Sequence, residues 1–194
     1  MKRKAIAAST RGMDSRAYLL AFLLASCATV ARTNDGPALP YYDWGACPFE
    51  CCTYRAWTTN DHVTLYDAIG SRTVVTTAAK GADFVVVTGV VITRKPGRVE
   101  ILEPVTLDED EPVNVSKGDA LYTLHVLGEG YERFWHEGEL HDADLMDPEG
   151  EGKTARWRVS SQPETEWWVK VQVKSGAVGW SQETEKFDHM DACE

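Results

Sequence analysis

The chain has 194 residues, 43% of them hydrophobic, which is enough for one packed domain or two small ones. Its net charge is −10, and because residues 1–26 hold five basic residues and one acidic one, residues 27–194 carry 15 basic and 29 acidic, a net of −14. A surface of that sign repels phosphate backbones and anionic headgroups, so nucleic acid is excluded as a partner, a basic or neutral partner is favoured, and the charge also keeps an exported protein in solution.

Residues 1–26 read as a signal peptide: a basic start and then the apolar run Ala17–Ala25. The run is shorter than the roughly 20 apolar residues a membrane span needs. It ends in Leu24-Ala25-Ser26-Cys27, which resembles the lipobox of bacterial lipoproteins. That resemblance implies lipidation of Cys27, and Ala28 in place of aspartate implies the outer membrane, facing the periplasm. Membrane contact is then through the lipid anchor only. Cleavage after Thr29-Val30-Ala31 is the alternative. Residues 27–40 are small, polar and proline-ended, and read as a tether reaching at most about 45 Å.

With Cys27 lipidated, Cys47, Cys51, Cys52 and Cys193 remain. An even number in an oxidising compartment favours disulfides. A bond between the adjacent Cys51 and Cys52 is disfavoured, and one member of the cluster is expected to reach Cys193. The spacing does not match a paired-knuckle zinc site, so no metal is expected there.

From residue 41 onward the pattern is β. Alternating or apolar runs rich in Val, Thr, Ile and aromatics predict strands at Val63–Tyr66, Thr73–Thr77, Asp83–Thr93, Arg98–Leu102, Ala120–Leu127, Tyr131–Trp135, Thr154–Val159, Trp167–Val173 and Ala177–Trp180. Asp108–Pro112 (DEDEP) reads as a domain seam and Asp147–Lys153 (DPEGEGK) as a loop. Lys80-Gly81 and Lys117-Gly118 each feed an apolar strand, and Ile92–Ile101 lines up with Val171–Trp180 as strand, turn and return strand. The order of both features is kept, which points to an internal duplication.

Trp167-Trp168-Val169-Lys170-Val171 followed by Ser175-Gly176-Ala177-Val178-Gly179-Trp180 resembles the last hairpin of bacterial SH3-like domains. Val63-Thr64-Leu65-Tyr66 and the later Lys80-Gly81 resemble the opening of the same family. The resemblance implies an all-β protein of two tandem small SH3-like barrels, the first over residues 41–107 and the second over 112–194, with an insertion at about 128–165. It also implies a non-catalytic module recognising cell-wall glycan or peptide. A protein scaffold or inhibitor with a basic partner in the envelope is the alternative reading, supported by the charge.

Aromatic residues crowd the second half, and Tyr131, Trp135, Trp167 and Trp168 are the candidate ligand-binding residues. Neighbours on a strand face opposite ways, so Trp167 and Trp168 cannot both point into one core. His136–Asp144 gathers two histidines and four carboxylates, but its spacing fits neither a zincin helix nor an EF-hand, and it reads as a solvated hairpin. No Gly-x-Ser-x-Gly or Cys-His constellation stands out, so no catalytic residue and no cofactor are expected.

Overall fold

The computed structural model describes residues 35–108, 111–145 and 154–193. The expectations for the signal peptide, for Cys27 and for the 147–153 loop lie outside the described residues. The described chain is all-β: β1 (Tyr41–Trp44), β2 (Ala56–Thr59), β3 (Val63–Tyr66), β4 (Val74–Ala78), β5 (Asp83–Lys95), β6 (Arg98–Ile101), β7 (Val105–Leu107), β8 (Val113–Val115), β9 (Ala120–Gly128), β10 (Tyr131–His136), β11 (Glu139–Asp144), β12 (Trp157–Ser161), β13 (Glu164–Val173), β14 (Val178–Ser181) and β15 (Phe187–Asp188). Among the described residues there is no α-helix, only a 3-10 turn at Thr184–Lys186.

The strands divide between two lobes. A curled sheet in the order β15-β2-β5-β13-β14-β3-β4, with β1 added against the second half of β5, forms an outer lobe. A five-stranded sheet, β11-β10-β9-β6-β12, with the β7–β8 hairpin beside it, forms an inserted lobe. The inserted lobe enters the chain between β5 and β13, which pair with each other over ten registered positions, from Glu164 opposite Lys95 to Val173 opposite Phe84. The two-unit expectation is therefore corrected: strands from before and after residues 107–112 share one sheet, and the lobes are nested rather than tandem. The stretch from about 128 to 165, expected as an insertion in a second barrel, instead holds β10, β11 and β12 of the inserted lobe and the first residues of β13. The seam expected at Asp108–Pro112 falls between two paired strands of one lobe, Val105 opposite Val115 and Leu107 opposite Val113.

The two lobes repeat one plan. With β1 and the β3–β4 and β7–β8 hairpins set aside, the outer lobe runs in chain order β2, β5, β13, β14, β15, and the inserted lobe β6, β9, β10, β11, β12. Both lay these out in space as fifth, first, second, third, fourth. Each carries a hairpin, β3–β4 or β7–β8, between its first and second strands. Gly81 (φ +79°) and Gly118 (φ +91°) occupy matching turns before the second strand, in a left-handed conformation that glycine adopts without strain. The alignment of 92–101 with 171–180 does not survive. The former is the crossing from β5 to β6 and the latter is the β13–β14 hairpin, whose counterpart is β10–β11.

Each lobe has its own core. Trp57, Leu65, Phe84, Val169, Val171 and Phe187 fill the outer one, drawn from both ends of the chain. Ile101, Leu121, Phe134, Leu145 and Trp157 lead the inserted one, all from between residues 99 and 157. Burying each such side chain contributes about 1.5–3 kcal/mol. The long strand β5 shows how the lobes meet. Its first half alternates exposed and buried residues, because one face meets solvent, whereas Gly89–Thr93 is buried throughout. There one face carries Val90 and Ile92 against aromatic side chains, and on the other the Thr93 hydroxyl donates to Leu124 O of the inserted lobe at 2.8 Å.

Candidate functional site

One face of the outer sheet is unusually aromatic. Tyr42 and Trp44 lie opposite Ile92 and Val90, which lie opposite Glu166 and Trp168. One row along, Lys170 faces Trp180, Trp180 faces Tyr66, and Tyr66 faces Val74. Directly opposed residues share a sheet face, so these side chains stand together. Val90, Ile92 and Trp168 are its buried floor, with Tyr66, Ile69 and Trp180 packed on them. Tyr42 stacks on Trp44 at 6.1 Å and 11°, and Trp44 meets Trp180 edge-on at 6.0 Å. Lys170 Nζ lies 5.7 Å from the Trp180 ring centre. Trp44 is 60% exposed, an unusual exposure for an indole. A groove of about 480 Å³ adjoins the face, lined by Tyr66, Arg72, Val74, Trp168, Gln182 and Glu183.

Polar groups fix the rim. Arg94 grips Glu166 with two parallel hydrogen bonds, Nε to Oε1 at 2.8 Å and NH2 to Oε2 at 3.0 Å. Those bonds hold the Glu166 carboxyl below the usual glutamate range. Glu166 Oε2 also accepts from Trp168 Nε1 at 3.1 Å, which sets the ring's angle in the floor.

The opposite face of β1 anchors it. Asp43 points away from Tyr42 and Trp44 and accepts from His125 Nε2 at 2.6 Å and from Arg133 NH1 at 2.5 Å. His125 is 2% exposed, and its Nδ1 lies 2.9 Å from Val126 O. Arg133 makes a bidentate pair with Asp142, both bonds 2.8 Å. Burial pushes the Asp43 carboxyl up, but the His125 bond and the charge on Arg133 outweigh it and leave it below the ordinary aspartate value. The short, half-exposed strand that presents Tyr42 and Trp44 is thus pinned to the inserted lobe.

The four aromatics singled out in the sequence do not form one surface. Trp168 is 6% exposed and belongs to the floor just described. Trp167 takes the other face of β13, where its Nε1 donates to Tyr54 Oη at 3.2 Å and its ring meets Trp57 and Phe49. Tyr131 and Trp135 lie on β10 of the inserted lobe. Tyr131 is exposed, and Trp135 is half-buried with its Nε1 donating to Asp35 O at 2.9 Å. That bond, with Gly36 against the Tyr122 ring, lays the end of the expected tether on the inserted lobe. Sequence reasoning missed Tyr42 and Trp44. The alternation in Tyr41-Tyr42-Asp43-Trp44 was the available signal, since it places two aromatics on one face and an acid on the other.

The cysteines pair as Cys47–Cys52 and Cys51–Cys193. The second bond, across 142 residues of sequence, ties the segment after β1 to the chain's end. Arg55 reinforces the junction by donating to the Asp191 carbonyl.

Comparison with protein-family models, with curated proteins and with solved structures gave no match. Fold and site define an all-β protein of two nested lobes with an aromatic platform on the outer one.

Proposed function

We propose that this protein is a non-catalytic binding module of the bacterial cell envelope, in which two SH3-like units, one nested in the other, present an aromatic platform to an extended ligand, a cell-wall glycan or peptide. The observation that carries the reading is Trp44, largely exposed, stacked on Tyr42 and edge-on to Trp180, on the sheet face whose floor holds Trp168. Flat, rigid indoles offered to solvent suit the apolar faces of sugar rings or the side chains of an extended peptide. The family resemblance supports it too. Val63–Tyr66, Lys80-Gly81 and the Trp167–Trp180 hairpin fall in one lobe, so the opening and closing features of an SH3-like unit belong to the same sheet. Lipid on Cys27 would hold the module at the outer membrane through the segment preceding β1, and the disulfides fit an oxidising compartment.

The test is co-sedimentation of the full-length protein with purified cell-wall sacculi. Saturable pelleting is expected, weakened about tenfold by Trp44→Ala, the usual cost of truncating an aromatic anchor. Because Trp44 is exposed, that variant keeps its thermal midpoint. Wild-type protein that stays in the supernatant at every concentration refutes the glycan and peptide reading alike.

A scaffold or inhibitor with a basic partner is the second reading. The net charge of −14 beyond residue 26 favours it.

A further inference from the structure

The inserted lobe carries a second cleft, of about 510 Å³, between the Glu111–Asn114 segment at β8 and the β10–β11 turn. Glu111 comes from that segment, and His136, Glu137, Glu139 and His141 from the turn and its flanks, with Val113 as an apolar wall. Among the described residues no lysine or arginine lines it. His136 is opposite Glu139 and His141 opposite Phe134, so these side chains share one face of the hairpin, buried at Phe134 and His136 and open to solvent at Glu139. His136 is 5% exposed, its Nε2 lies 3.8 Å from Asp119 Oδ2, and its Nδ1 has no hydrogen-bond partner. A buried ring nitrogen without a partner is costly and marks a place where a ligand can supply one.

The donors are spread rather than convergent. Among the described residues the only three metal-type groups within 4.8 Å of one another are Cys51, Asp191 and Cys193, two of which are joined in a disulfide. Spread acceptors with an apolar wall suit a broad organic cation better than a point ion. A guanidinium offers five N–H donors in a planar fork, and its methylene stem packs on apolar surface. We propose that this cleft binds the arginine side chain of a basic protein or peptide partner, with Glu111 and Glu139 taking the charge and Val113 the stem.

The probe is an acetylated Gly-Arg-Gly amide, titrated calorimetrically into the full-length protein, beside its citrulline counterpart, Zn²⁺ and Ca²⁺. The arginine peptide is expected to bind, the citrulline peptide at least tenfold more weakly, and added salt to weaken binding further. Glu111→Gln and Glu139→Gln, both at the protein surface, are each expected to weaken it about tenfold, the loss of one charge-assisted hydrogen bond. Equal binding of the citrulline peptide, no effect of either glutamine variant, or no heat with the arginine peptide overturns the proposal. So does binding of Zn²⁺ or Ca²⁺ that is lost with His141→Ala while the arginine peptide is ignored, which would make the cleft a metal site. The Trp44→Ala protein is expected to bind the arginine peptide as the wild type does, so failure here and failure of the aromatic platform are read separately.

Discussion

Replacing Asp43 by asparagine tests how the aromatic platform is held. The substitution keeps the side chain's shape and removes its charge. Asp43 accepts two charge-assisted bonds, from His125 at 2.6 Å and from Arg133 at 2.5 Å, and is 12% exposed. Each such bond contributes about 1.5–3 kcal/mol. Arg133 keeps its bidentate partner Asp142, and the asparagine oxygen still accepts one bond, so the two losses do not add in full. About 2–3 kcal/mol is expected from urea unfolding at pH 6. The pH dependence follows from the lowered carboxyl. A depressed pKa contributes stability that is present above the unfolded-state value, near 3.8, and is lost as pH falls through the lower folded value. The gap between wild type and Asp43→Asn is therefore expected to hold from pH 6 to about 4 and to close below that. Ligand binding at Trp44 should weaken in the same variant, because β1 loses its anchor. A loss under 0.5 kcal/mol, or a gap that persists unchanged to pH 2, would refute the reasoning.

Other perturbations separate the two lobes. Phe134→Ala empties the centre of the inserted core and is expected to cost about 3–5 kcal/mol, read as a lower urea midpoint, with hydrogen exchange accelerated first in β9 and β10. Gly179→Ala is expected to cost about 1–3 kcal/mol, because a Cβ there would sit 2.8 Å from Leu65 Cβ and 2.9 Å from the Tyr66 carbonyl, where β14 meets β3. Removing the Cys51–Cys193 bond with paired serines opens a loop spanning 142 residues and should lower stability by about 5 kcal/mol in the chain-entropy model, visible as a fall in Tm.

Much of the fold is legible in the sequence where local pattern governs it. Each of the nine predicted strands has a counterpart, because Val, Ile, Thr and aromatic runs between Gly and Pro turns need no distant information. Short elements escaped: β1, β2, β7, β8 and β15 have two to four residues, too few to show a period, and the longer β11 was hidden in a charged stretch read only as a solvated hairpin. The nesting escaped for a different reason. Whether β5 pairs onward with β9 or with β13 is decided by burial on both faces of Gly89–Thr93, a property of the assembled lobes, while both lobes use the same Lys-Gly turn before their second strand. Tryptophan density pointed toward an aromatic surface, but counting favoured residues 131–168, whereas exposure singles out Trp44, which sits in a four-residue strand.

Nesting also bears on the order in which the chain can fold. The outer sheet must bring Lys95 and Glu164 together across residues 96–163. For a flexible chain of that length the closure entropy is about 4 kcal/mol, beyond a constant. The first and last strands of the inserted lobe, β6 and β12, pair directly with each other, Val99 opposite Val159 and Ile101 opposite Trp157. A folded inserted lobe therefore hands its two ends back side by side, and β5 and β13 meet as though joined by a short turn. During synthesis all of the inserted lobe emerges before β13, so the element that looks like an interruption is placed to act as the scaffold on which the outer sheet closes.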